Sequence, residues 1–164
     1  MHQDLGTTRA ARGTTLSLKG RALRLLSARE QTRAELERKL APHAETPEQL
    51  AQVLDELQAK DFISEARVIE SVIHRRAARF GTARVRHELL AKGLGAELVM
   101  EAVQRLKTTE LERAREVWRK KFESTPGDPA PDTAARLKQM RFLAARGFGT
   151  EVVRRVVAGP ETDD

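Results

Sequence analysis

From Leu18 onward, apolar residues recur at helical spacing. Leu18, Ala22, Leu25 and Leu26 fall at i, i+4, i+7 and i+8, which is one face of a helix. Thr32-Arg33-Ala34-Glu35 has the form of a capping box, in which a hydroxyl accepts from an orphan amide while the glutamate reaches back. It opens a second helix with Leu36 and Leu40 inward, running to Pro42. Thr46-Pro47 is another start signal, with proline at the first helical position. The third helix carries Leu50, Val53, Leu54 and Leu57 on one face.

The turn Asp61-Phe62-Ile63-Ser64 leads into a fourth helix, capped by Ser64 and faced by Ile69, Val72, Ile73 and Ala77. Gly81 separates it from a fifth helix with Val85, Leu89 and Leu90, which Gly93 closes. A sixth helix holds Leu98, Ala102, Val103 and Leu106. Thr109-Glu110-Leu111-Glu112 reads as the cap of a seventh, with Leu111, Ala114, Trp118 and Phe122. The i+7 relation of Trp118 to Leu111 puts the indole in the core. Residues 123–131 are a loop by composition. The eighth helix presents Leu137, Met140, Leu143 and Ala144 and stops at Gly147, and the ninth presents Val152, Val153, Val156 and Val157.

The expected fold is therefore all-α, with helices grouped in threes over residues 18–63, 64–107 and 109–158. Residues 1–16 read as a disordered tail and residues 159–164 as a frayed end. An internal match supports the grouping. Lys92-Gly93-Leu94-Gly95-Ala96-Glu97-Leu98-Val99 aligns with Arg146-Gly147-Phe148-Gly149-Thr150-Glu151-Val152-Val153. Each is a helix end, a glycine stop, one apolar residue and a new helix. Such repetition predicts tandem three-helix repeats in a curved, extended array, each unit covering its neighbour's apolar edge.

Composition narrows the function classes. The 164 residues are 40% hydrophobic, but with five Phe, one Trp and no Tyr the core must be built from aliphatic side chains. There is no cysteine, which removes disulfides, thiolate metal sites and cysteine nucleophiles together. With no long apolar run and no leader-like segment, the expected location is the cytoplasm, with no membrane contact. His2, His43, His74 and His87 are scattered, without metal-ligand spacing. Gly93-x-Gly95 and Gly147-x-Gly149 lack the third glycine and the preceding strand of a nucleotide loop. No nucleophile elbow or Ser/His/Asp set occurs. The expectation is a monomeric non-enzyme with no catalytic residues, no metal and no cofactor.

Charge carries more information. The formal net charge is +6, and it is placed in blocks. Residues 42–65 sum to −5, whereas residues 67–92 and residues 133–158 each sum to +5. Same-sign blocks set up a directional field that steers an oppositely charged partner. Arg75, Arg76 and Arg79 end the fourth helix, and Arg84 and Arg86 begin the fifth across a short glycine turn. These five can form one patch, and with Lys92 they are the expected partner or DNA contacts. The bland alternative is a solvated face, with arginines favoured at a helix C-terminus by the dipole. No base-reading helix can be singled out, so any DNA contact, single- or double-stranded, would be to backbone phosphates.

The run Arg21–Leu40 resembles the opening of the RecX family of recombinase regulators. Phe62-Ile63-Ser64-Glu65-Ala66-Arg67 is similar to that family's apolar-apolar-Asp-Asp/Glu-Ala-Arg turn, with Ser64 where Asp is usual. Phe80–Gly93 resembles its most characteristic stretch, and Arg141–Phe148 its closing motif. The resemblance spans about residues 18–158. It implies three tandem three-helix units, and a protein that binds the RecA recombinase filament on single-stranded DNA. There it would modulate, mostly inhibit, ATP hydrolysis, strand exchange and co-protease action in DNA repair and the SOS response. The competing expectations are a stand-alone, non-specific DNA-binding helical module and a generic helical scaffold.

Overall fold

The computed structural model describes residues 15–124 and 126–160, and the expectations for residues 1–14 and 161–164 lie outside them. Among the described residues the chain is helical throughout, without strands. The elements are α1 (Leu18–Ala28), α2 (Arg33–Leu40), a 3-10 turn (Ala41–His43), α3 (Pro47–Ala59), α4 (Glu65–Arg76), α5 (Thr82–Ala91), α6 (Ala96–Phe122), α7 (Thr133–Ala145) and α8 (Thr150–Ala158).

The start and stop signals act as their chemistry dictates. Both halves of the Thr32–Glu35 capping box are made. Thr46 accepts from the Gln49 amide, and Ser64 accepts from the Arg67 amide. Gly93 and Gly147 stop α5 and α7 at φ +73° and +87°, a region closed to most side chains.

Three aliphatic cores follow in order. Ala22, Leu36, Leu54 and Leu57 are fully buried between α1, α2 and α3. Val72, Leu89 and Ala102 are fully buried between α4, α5 and the first half of α6. Ala114 and Leu143 are fully buried between the second half of α6, α7 and α8, with Trp118 packed against them. Each buried leucine contributes about 1.5–3 kcal/mol of transfer free energy. The indole N–H of Trp118 donates to Gln139 at 2.9 Å, which explains a buried glutamine in this core.

Two expectations need correction. The sixth and seventh helices are one 27-residue helix, α6, with no cap at Thr109. No glycine or proline interrupts residues 96–122, and the hydroxyls of Thr108 and Thr109 donate back to the Arg105 and Leu106 carbonyls within the helix. Glu110, expected to help cap, is buried and serves another helix. The inward face of α7 is also rotated: Leu137 is 46% exposed and Ala144 is exposed, while Gln139 and Leu143 point inward. Gln139 and Leu143 are four apart and define the buried stripe, which leaves Leu137 off it.

The joints between units differ in kind. The first unit meets the second mainly through charge. Lys92 Nζ lies 2.8 Å from Glu35 Oε1, and Arg67 pairs with Glu30 at 2.9 Å and with Asp61 at 3.0 Å. The second and third units share the unbroken α6 and also meet backbone to backbone.

Candidate partner-binding site

The second joint is where the basic residues gather. Helix α5 begins at Gly81, which has no side chain to cap it. Its orphan amides are satisfied from elsewhere. Gly81 N–H donates to the Arg146 carbonyl at 2.8 Å and Ala83 N–H to the Gly147 carbonyl at 3.3 Å. Thr82 N–H donates to Glu110 Oε1 at 3.0 Å. The turn after α7 and a carboxylate on α6 thus cap the helix of the preceding unit. A Cβ on Gly81 would collide with the Gly147 and Phe148 backbone.

The end of α4 is held by Arg113 of α6. Its guanidinium donates to the carbonyls of Ala77 (2.9 Å), Phe80 (2.8 Å) and Leu106 (3.0 Å) and to the hydroxyls of Thr82 and Thr109 (both 3.1 Å). Burial lowers the Arg113 pKa below the ordinary guanidinium value, and nearby Glu110 works against that shift.

Pinned this way, Phe80 becomes the centre of a cation cluster. Its ring is buried, and four guanidiniums surround it. Their distances to the ring centroid are 4.2 Å for Arg84, 5.5 Å for Arg79, 5.6 Å for Arg76 and 5.7 Å for Arg146. All are within cation–π range. Of the four, Arg76 alone has a carboxylate close by among the described residues: its Nε is 3.0 Å from Glu88, though out of line for a hydrogen bond. Arg146 also donates to the Arg79 carbonyl at 3.2 Å and lies 4.7 Å from the Phe142 centroid. Lys121 sits 5.7 Å from the same ring, which makes a T-shaped contact with Phe122.

The six contacts expected from sequence therefore separate. Arg76, Arg79 and Arg84 converge on one ring. Arg75 is exposed, with its Nε donating to the Ser71 carbonyl of its own helix at 3.3 Å. Arg86 is exposed and makes no ion pair among the described residues. Lys92 is committed to Glu35 at the other joint, its side chain only 17% exposed, so it is withdrawn from the cluster. Sequence reasoning missed Arg146, Lys121 and Phe80. The aligned glycine turns were the available signal, since they put Arg146 at the joint-forming position that Lys92 holds one unit earlier.

Among the described residues no group of His, Cys, Asp or Glu is arranged to hold a metal ion. No described helix is long and apolar enough to cross a membrane.

The class the fold defines is an all-α array of tandem three-helix units, with a cation-lined joint. Comparison with known proteins specifies it. The model of the third three-helix domain of RecX matches residues 108–157, and that of the first matches residues 19–57. The chain is 57% identical over 142 residues to the regulatory protein RecX of Leptothrix cholodnii, covering 87% of this chain and 88% of that one. It is 47% identical over 146 residues to the RecX of Ralstonia nicotianae, covering 89% of each. The crystal structure of RecX from Lactobacillus salivarius shares the fold, with a TM-score of 0.71 at 19% identity over 86% of this chain and 92% of that one. The chain belongs to the RecX family of regulatory proteins.

Proposed function

We propose that this chain binds the RecA recombinase filament through the joint between its second and third units, and thereby inhibits ATP hydrolysis, strand exchange and co-protease action. It would act in the cytoplasm as a monomer, in DNA repair and the SOS response. One observation carries the reading: four guanidiniums crowd one ring with, among the described residues, a single carboxylate near them. Among the described residues one carboxylate offsets only part of their mutual repulsion, so an anionic surface brought against them gains more than it would from isolated arginines. The protein needs no chemistry of its own. Binding one filament state more tightly than another shifts the population toward it.

A pull-down from lysate, with and without nuclease, tests the choice of partner. RecA retained after nuclease treatment supports direct protein contact. RecA lost with the nucleic acid overturns it.

A further inference from the structure

Beside the Phe80 cluster lies a small cleft of about 250 Å³, between the end of α4 and the facing sides of α6 and α7. Arg79, Lys120, Lys121 and Arg146 line it with Val117 and Phe142, and among the described residues no acidic side chain does. Among the described residues the one carboxylate within 4 Å of any of these cations is Glu116, 3.9 Å from Lys120 and engaged with Arg119 at 3.0 Å.

We propose that this cleft seats carboxylate side chains from an acidic segment of a partner protein. The proposal rests on the regulatory reading above and adds the chemistry of what is recognised. Three features favour carboxylates on a protein over a nucleic-acid strand. First, a strand binds by stacking its bases on free aromatic faces along a basic groove. Here Arg146 and Lys121 lie over Phe142, which is also in a T-shaped contact with Phe122, and Phe80 is buried under arginines. Both rings already carry cations. Second, the cations meet in one recess, built from the ends of helices brought together at a joint. Third, the recess falls below the size of pockets that enclose whole small ligands, about 300–1,000 Å³, yet its aliphatic wall of Val117 and Ala78 suits the methylene stem of a glutamate. The guanidinium forks of Arg79 and Arg146 can each donate two hydrogen bonds to the carboxylate head, with Lys120 and Lys121 as point charges.

The full chain is titrated with a fluorescein-labelled peptide of alternating Glu and Ala, and separately with labelled oligo-dT, at one fixed salt concentration. Lys120 and Lys121 are exposed, so Lys120→Gln/Lys121→Gln removes charge without touching a core. The peptide is expected to bind the unaltered chain and to bind this variant about tenfold more weakly, at unchanged helicity. Arg146→Lys keeps the charge but loses the fork, and is expected to weaken the peptide several-fold. Equal peptide binding by all three proteins overturns the proposal. So does oligo-dT that displaces the peptide and loses affinity in the same variants, which would make the cleft a nucleic-acid site. Peptide binding by a chain that leaves RecA's ATPase untouched supports the cleft and removes the recombinase reading. RecA inhibition without peptide binding does the reverse.

Discussion

Gly81 and Gly147, in different repeat units, meet backbone against backbone. The pair of amides from Gly81 and Ala83 donates to the carbonyls of Arg146 and Gly147, and neither glycine has room for a side chain. At Gly147 the conformation itself is also restrictive, with φ at +87°. The equivalent Gly93 has φ +73°, but the nearest atom to an added Cβ is 3.9 Å away, on Ala34. Gly93→Ala should therefore cost only the left-handed penalty, about 1–2 kcal/mol. Gly147→Ala should cost clearly more, because the Cβ also meets Arg84. Gly81 has ordinary φ, so any loss in Gly81→Ala comes from the collision alone. Urea midpoints of the three variants check this order, and equal losses at Gly93 and Gly147 would contradict the packed joint.

Arg113 is the second bracket on this joint. Arg113→Met keeps bulk but leaves the Ala77 and Phe80 carbonyls without their donor. A loss of about 2–3 kcal/mol is expected from those unsatisfied groups, read by denaturant unfolding. Arg113→Lys should recover only part, since one ammonium cannot serve five acceptors. A near-neutral Arg113→Met would mean the turn at Phe80 is held by its glycine contacts alone.

The first joint should respond to pH. Burial works to raise the Glu35 pKa, but the Lys92 ammonium, the Thr32 amide and Arg29 outweigh it and hold the carboxyl below its ordinary value. A carboxyl depressed on folding contributes stability above its unfolded pKa and loses it as pH falls through the folded pKa. The loss thus begins at the usual carboxylate range near pH 4.5 and continues below it. Glu35→Gln keeps the capping geometry and removes the ion pair. Thermal unfolding of this variant should lie below that of the unaltered chain at neutral pH, and the gap should close as pH falls through that window. A gap independent of pH would sink the ion-pair account.

How far the sequence reached depends on range. Caps are decided within four residues, so Thr32, Thr46, Ser64, Gly93 and Gly147 could be read directly. The continuity of α6 was legible in principle, because nothing between Ala96 and Phe122 breaks a helix. Thr109-Glu110 imitated a cap because threonine can bond either to the following amides or back to its own helix. The site was half legible. Arg76, Arg79 and Arg84 are close in sequence, and a glycine turn brings them together. Arg146 joins them from 67 residues beyond Arg79, and Lys92 leaves for Glu35, 57 residues before it. Periodicity and local charge hold no information about contacts at that separation. The exposure of Leu137 has the same origin, since the orientation of α7 is set by Gln139 reaching Trp118 on another helix.

The cations at the second joint are proposed to hold the recombinase. The direct measurement is RecA's DNA-dependent ATPase titrated with the unaltered chain and with an Arg79→Ser/Arg84→Ser variant of unchanged helicity. The account predicts suppression at sub-stoichiometric amounts by the unaltered chain, and at least a tenfold higher requirement for the variant, about 1.4 kcal/mol of lost binding. Identical titrations, or no suppression by either protein, would contradict it.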